Sequence, residues 1–366
     1  MDSENHAAYM RRALELARRG RGRTHPNPLV GAVIVRDGTI IGEGYHEEYG
    51  GPHAETHALH AAGDSARGAT LYVTLEPCAH HGKTPPCAEA VAAAGIARVV
   101  YAAADPDVDA AGGARTLRDA GVDVIEGVER EAARALNAQF FHLRERGTPY
   151  MALKLAVSLD GAVAAAPGLR TQLTGATALV ETHRLRADHE AILAGSRTID
   201  VDDPLLTVRG VTCRIPPVRV VVDTMARLRP DARIVSTLDQ GPVWVLCAEG
   251  SPPERVRRLT DAGVRVLTVP RRGHGLDLAA ARTSLGEAGL RSILVEGGPT
   301  LASALLSEGL LDRIYLFVAP LFLGDGAVRG LRPQGLAGRW QYTAIERLGA
   351  DILFTLDPAP APAESS

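Results

Sequence analysis

Two segments, Pro52-His-Ala-Glu55 and Thr74-Leu-Glu-Pro-Cys-Ala-His-His-Gly-Lys-Thr-Pro-Pro-Cys87, decide how this chain is read. They bring together one imidazole (His53), one carboxylate (Glu55) and two thiols (Cys78 and Cys87). A neutral nitrogen and two thiolates fill three positions of a tetrahedral Zn²⁺ and leave the fourth to water, which marks a catalytic rather than a structural site. Glu55, two residues from the His ligand, can handle the protons of that water without binding the metal. The alternative is a non-catalytic, zinc-stabilised ligand-binding protein. Such a site would be closed by a fourth ligand, for which His80 or His81 are the candidates, and it would have no use for Glu55. His57, four residues from His53, invites a second-ligand reading, but the two cysteines already complete the set.

His-x-Glu followed by Pro-Cys and a second Cys is the signature of zinc deaminases, which attack an amino-substituted ring carbon. Most of these enzymes space their cysteines as Cys-x-x-Cys; here eight residues separate Cys78 from Cys87. The insert is polar and proline-stiffened, and it must loop out beside the metal. Pro86 suits the first turn of a helix that continues through Ala88-Glu-Ala-Val91 and stops at Gly95. Cys87 then sits at a helix N-terminus, where the dipole favours a thiolate.

With Thr24-His-Pro-Asn-Pro28, these segments closely resemble the bifunctional deaminase–reductase family of riboflavin biosynthesis, and the likeness covers nearly the whole chain. The resemblance implies an N-terminal cytidine-deaminase-like three-layer α/β/α domain and a C-terminal dihydrofolate-reductase-like α/β domain. It implies zinc-dependent deamination of a pyrimidinone ribosyl phosphate, then NADPH reduction of the ribosyl chain. Boundaries are expected at 1–146 for the deaminase, 147–356 for the reductase and 357–366 for a disordered tail. Glu55 and Lys154 are the implied catalytic residues, and His53, Cys78 and Cys87 the zinc ligands. NADPH contacts are implied at Ala156, Gln172, Thr198, Asp202, Thr224, Gly298, Pro299 and Thr300. Substrate contacts are implied at Asn27, Lys83, Arg170, Arg186, Leu206, Arg209 and Glu296.

Composition agrees with two soluble domains. The chain has 366 residues, 46% hydrophobic and 23% charged, which is long for one core. A net charge of −3 and only 4% aromatics argue against nucleic acid, and so against a nucleic acid deaminase with an added domain. Four cysteines, two claimed by the metal, imply a reducing compartment. The polar start Met1-Asp-Ser-Glu-Asn-His lacks an export core, and no apolar run spans a bilayer. These point to a cytoplasmic protein, and a homo-oligomer is expected.

Read in order, helix 6–19 leads into Arg18, Arg19, Arg21 and Arg23, either a solvated helix end or a funnel for a phosphate. A hairpin turns at Asp37-Gly38. The strand 70–75 delivers Glu76-Pro-Cys78, and 129–144 reads as one long helix. Glu145 to Pro149 breaks the pattern as a linker. Lys83 is either solvated or a point charge for the substrate phosphate.

Lys154 is the one charge inside the apolar strand Met151 to Val157, so it must reach a pocket or an acidic partner. Arg186 and Arg209 suit a phosphate, and surface ion pairs are the ordinary alternative. After the strand 292–296, Gly297-Gly-Pro-Thr300 opens a helix whose first N–H groups can face a cofactor phosphate. The chain departs from the family at several points. Asp107 stands for an Asn and Gly112-Gly-Ala114 for Gly-Arg-Gly. Ala162 stands for a basic residue, Arg170 for a small polar one and Gln172 for a Trp over the nicotinamide. An active deaminase with a degenerate reductase is therefore a further alternative.

Overall fold

The turn expected at Asp37-Gly38 starts the first sheet: both residues are left-handed, φ 49° and 78°, as a two-residue hairpin requires. A computed structural model describes residues 3–80, 86–107, 110–335 and 338–359. The chain divides into two units, Met1–Gly147 and Thr148–Ser366.

In the first unit β1 (Gly31–Arg36) and β2 (Thr39–Tyr45) are antiparallel. They are followed by β3 (Thr70–Leu75), β4 (Arg98–Ala103) and β5 (Asp123–Glu126). The order among the described residues is β2-β1-β3-β4-β5, with β3, β4 and β5 parallel. The helices are α1 (Ser3–Ala17), α2 (Ala54–Ala62), α3 (Cys87–Ala93), α4 (Gly113–Asp119), α5 (Arg130–Leu136) and α6 (Ala138–Arg146).

The inner strands are buried on both faces, and their side chains alternate between two apolar clusters, which makes this unit three-layered. Ile34, Leu71, Val73 and Val99 pack under α2, α3 and α4, while their neighbours Val33, Val35, Tyr72 and Val100 pack under α1, α5 and α6. The single helix expected over 129–144 is instead two, parted at Asn137. The buried Asn137 side chain accepts the Leu29 N–H and donates to the Leu29 carbonyl, both at 2.8 Å. A side-chain pair with a distant backbone thus overrides local helix propensity.

The second unit contains β6 (Tyr150–Ser158), β7 (Ala162–Ala164), β8 (Ala191–Gly195), β9 (Val218–Val222), β10 (Val243–Ala248) and β11 (Arg265–Val269). Then come β12 (Arg271–Arg272), β13 (Gly275–Leu276), β14 (Ser292–Val295), β15 (Arg313–Ala319), β16 (Val328–Arg329), β17 (Trp340–Leu348) and β18 (Asp351–Pro358). Its helices are α7 (Ala176–Ala187), α8 (Ser196–Asp202), α9 (Pro253–Asp261), α10 (Leu278–Glu287) and α11 (Pro299–Ser307).

The main sheet runs β11-β10-β9-β8-β14-β6-β15-β18-β17 among the described residues. It is parallel through β15, with β18 and β17 antiparallel at one edge. Apolar clusters cover both faces, as a parallel sheet demands. Among the described residues no helix is long and apolar enough to cross a membrane.

The tail expected from Asp357 starts too early. Asp357 and Pro358 complete β18, and Asp357 is paired twice with the buried Arg313, at 2.7 and 2.8 Å. Only 360–366 of that expectation lies outside the described residues. Asp357→Asn should lower the stability of the second unit by about 2 kcal/mol, because it weakens a largely buried bidentate pair. Urea unfolding followed by tryptophan fluorescence checks this, since Trp244 and Trp340 both lie in that unit.

Candidate active sites

The first site forms where three elements end. His53 occupies the N-cap of α2, a place usually held by a small polar side chain, yet its ring makes no capping bond. Its Nδ1 instead meets Cys87 Sγ at 3.2 Å and Cys78 Sγ at 3.6 Å. Cys78 lies just beyond β3, and Cys87 opens α3. The three donor atoms lie within 4.8 Å of one another. Donors around a tetrahedral zinc are about 3.5–3.8 Å apart, so the set fits the ion.

The hydrogen bond from Cys87 draws the Cys78 thiol down to about 4, and the same bond pushes Cys87 up. The Cys87 backbone N–H adds a further bond to Cys78 Sγ at 3.4 Å. The start of α3 thus bears Cys87, as the sequence implies, and through its first N–H also supports the sulfur of Cys78. Glu55, in the first turn of α2, is buried, and burial raises its carboxyl pKa against the opposing pull of His53. His80 is exposed and outside this cluster; His81 and Lys83 lie outside the described residues.

The approach to Cys78 is set by a close backbone contact. A Cβ on Gly113 would lie 1.7 Å from the Pro77 carbonyl oxygen, so only glycine lets α4 pack there. The Glu76 carboxylate accepts the N–H groups of Asp105, Gly112 and Ala114, tying the same loop down. Asp107, which stands in place of the family's Asn, is ion-paired with Arg144 at 2.7 Å. Asn27 donates its amide to His46 Nε2 at 3.2 Å, and the buried His46 holds the Pro52 carbonyl through Nδ1 at 3.0 Å. His46 was not singled out in the sequence; a lone His after a strand carries no local signal.

The second site follows the carboxyl ends of the parallel strands, where open α/β sheets bind ligands. Glu296 just after β14 pairs with Arg186 on α7 at 2.5 and 2.9 Å, and Arg186 also donates to the Thr207 carbonyl at 2.8 Å. Burial would raise the Glu296 carboxyl, but Arg186 outweighs it and holds the group ionised. Arg186 is thus engaged by a carboxylate, where the resemblance implies a substrate contact. Lys154 on β6 has its Nζ 5.2 Å from the Phe317 ring centroid. Burial pulls its pKa down, and Glu296 pushes it back. Ala156 pairs with Phe317 across β6 and β15.

Leu206 has a buried side chain and a left-handed backbone, φ 51°, so only its main chain is offered outward. Arg209 donates from Nη1 to Thr207 Oγ1 at 2.8 Å, and its N–H goes to His183 Nδ1 at 3.2 Å. Burial and the nearby Arg186 and Arg209 depress His183 to about 4, so it stays a neutral acceptor. Nothing in the sequence singles out His183, because a lone histidine on a helix carries no local signal. Burial raises Asp202, at the end of α8, and the charge of Arg170 counters this. Gln172 is exposed and donates to the Thr174 carbonyl at 2.8 Å.

Thr198 Oγ1 accepts the Gly298 N–H at 3.0 Å, and a Cβ on Gly298 would meet that oxygen at 3.1 Å. Pro299 and Thr300 begin α11, whose opening N–H groups fit a dinucleotide phosphate. The Thr224 carbonyl, beyond β9, is taken by Ala248 N–H and Ser251 Oγ at 3.0 and 3.1 Å.

Comparison with known proteins gives the same division. Residues 3–103 match the cytidine and deoxycytidylate deaminase zinc-binding region, and residues 149–354 match the RibD C-terminal domain. The Escherichia coli riboflavin biosynthesis protein RibD is 43% identical, over 95% of this chain and 98% of its own. The Aquifex aeolicus protein of the same name is 41% identical, over 94% and 96%. Among solved structures, Acinetobacter baumannii RibD superposes with a TM-score of 0.81 at 38% identity, covering 98% of this chain and 100% of that one. A Thermotoga maritima diaminohydroxyphosphoribosylaminopyrimidine deaminase/5-amino-6-(5-phosphoribosylamino)uracil reductase gives 0.80 at 32% identity, over 98% and 99%. With a cytidine-deaminase-like first unit and a reductase second unit, the chain belongs to the RibD family of riboflavin biosynthesis proteins.

Proposed function

We propose that the first unit deaminates 2,5-diamino-6-ribosylamino-4(3H)-pyrimidinone 5′-phosphate with zinc, and that the second reduces the resulting 5-amino-6-(5-phosphoribosylamino)uracil to the ribitylamino product with NADPH. The observation that carries this is the His53–Cys78–Cys87 cluster with a buried carboxylate two residues away, in a chain matched along its length to bifunctional relatives.

His53 Nδ1 and the two sulfurs hold the zinc, which when bound makes water a nucleophile near neutral pH. Glu55 takes one proton from the attacking water and delivers it to the ring nitrogen. It then takes the second from the newly formed hydroxyl and passes it to the amino group, which leaves as ammonia while the ring carbonyl forms. Its burial suits both roles, because a raised pKa keeps the acid and base forms close in energy. Asn27, oriented by His46, and Lys83 position the ring and its phosphate.

In the second unit NADPH supplies the hydride, held by Ala156, Gln172, Thr198, Asp202, Thr224 and the start of α11. Lys154, Asp202 and Glu296 polarise and position the sugar carbon, opened as an imine. Arg170, the Leu206 backbone and Arg209 hold the phosphorylated end, while Arg186 fixes the Glu296 carboxylate beside it. The intact Arg186–Glu296–Lys154 grouping disfavours a degenerate reductase, despite Ala162, Arg170 and Gln172.

Reduced thiols at the metal suit a cytoplasmic setting. A homo-oligomer is also expected; Tyr342 and Ile345 stand exposed on β17, the outermost strand.

Glu55→Gln should lower deamination by about 10²–10⁴-fold while the protein keeps its zinc, measured as turnover beside metal content. Chelation should abolish deamination and spare NADPH oxidation with deaminated substrate, which separates the two units. His183 titrates near about 4 in the fold against 6.5 for a solvated histidine, so the unfolded chain binds the extra proton between these values. The stability of the second unit should fall as pH drops through that window. His183→Asn should flatten the slope in tryptophan-monitored urea unfolding.

A further inference from the structure

Arg219, on the interior strand β9, is the largest fully buried side chain among the described residues. Its strand neighbours Val218, Val220, Val221 and Val222 are what a central parallel strand ordinarily contains. Among the described residues it makes no ion pair, and its Nε has no partner. Burial depresses its pKa to about 10, which still leaves a cation at neutral pH. A buried charge that no carboxylate bonds is weak evidence for stability, since apolar replacements of buried ions are often neutral or stabilising, and Asp239 offsets only part of the burial cost. Its presence therefore calls for another reason.

The guanidinium bonds show where to look. Nη2 donates to the carbonyls of Thr237 and Gly241 at 2.7 and 2.5 Å, and Nη1 donates to Thr237 Oγ1 at 2.8 Å. These fix one side of the fork against the segment before β10. Nη1 also donates to the Leu205 carbonyl at 3.2 Å. That carbonyl belongs to the peptide leading into Leu206, the residue with φ 51°. A non-glycine residue in the left-handed region is costly and persists only where its surroundings over-determine it.

Immediately beyond, the Thr207 carbonyl takes Arg186, and the Arg209 N–H goes to His183. The turn is thus clamped on both sides, by Arg219 before Leu206 and by the active-site arginine and histidine after it.

We propose that Arg219 is a positioning residue of the reductase site: through the Leu205 carbonyl it holds the left-handed turn at Leu206 that presents Arg209 to the substrate phosphate. This rests on the assignment of residues 206–209 to the reductase substrate. Arg219 does not touch the substrate, and its effect runs through one peptide plane.

Full-length Arg219→Met, Arg219→Lys and Thr237→Val test the role, with reductase kinetics, deaminase kinetics and NADP⁺ affinity measured on each. Arg219→Met should raise the reductase KM for the deaminated substrate by about tenfold, because a misplaced phosphate anchor costs ground-state and transition-state binding alike. Its kcat, its NADP⁺ affinity and the deaminase activity should stay within about twofold. Arg219→Lys, which can still reach one carbonyl, should recover part of the KM. Thr237→Val keeps the guanidinium but removes one anchor, and should raise KM by about threefold.

An unchanged KM in Arg219→Met overturns the proposal. So does a parallel loss of NADP⁺ affinity and thermal stability with no recovery in Arg219→Lys, which marks a purely structural residue. If Arg219→Met does not fold, Thr237→Val decides: a raised KM supports the proposal and an unchanged one overturns it. The unaltered chain separates the two levels, since its failure to oxidise NADPH would defeat the reductase reading itself.

Discussion

A single N–H···S contact, from the Cys87 backbone to the Cys78 sulfur, joins the end of β3 to the start of α3, and the first unit is arranged to make it. A thiolate in a protein interior is costly unless donors converge on it. Here the donors are a second thiol, a helix N-terminus and an imidazole turned away from its capping duty. The strand that leads to Cys78 is buried along its length, and the short segment from Glu76 to Cys78 that follows it is buried as well. Behind it, the close approach of Gly113 to Pro77 and the three backbone bonds to Glu76 leave the following turn little freedom. Packing and hydrogen bonding thereby place three donor atoms at a spacing that matches a metal ion.

The second unit meets a different electrostatic problem. Its charged groups converge at the carboxyl ends of parallel strands, in a place dry enough to shift their protonation. Arg186 and Glu296 neutralise each other there, while His183 remains uncharged and so serves as an acceptor for the backbone of Arg209. A protonated His183 would lose that bond and face two guanidiniums. Local order in the segment from Leu206 to Arg209 therefore depends on which side chains are kept neutral as much as on which are charged.

Much of this was legible in the sequence. The zinc-binding cluster could be read because its residues are close in the chain and chemically unusual, and most strands because their apolar runs are bounded by turn residues. What escaped depends on contacts distant in sequence. The break at Asn137 follows from a partner 108 positions away, which no local pattern reveals. The last two residues of β18 were assigned to the tail because Asp357-Pro-Ala-Pro resembles a disordered run, whereas the Asp357 carboxylate reaches back to Arg313. Arg186 and Glu296 were both singled out, yet their attachment to each other across 110 positions was not visible. Lys154 was easier to find, since a lone ammonium in an apolar strand has to be explained.

The strand order at the sheet edge has a bearing on assembly. β18 lies between β15 and β17 although it follows both in the chain. Until its backbone is available, β17 has no partner in the sheet and β15 lacks its outer neighbour. During synthesis this unit must wait with an open hydrogen-bonding edge, whereas the first unit can close its own sheet with 147 residues in hand. Nascent chains of intermediate length would then be the form most in need of chaperone protection.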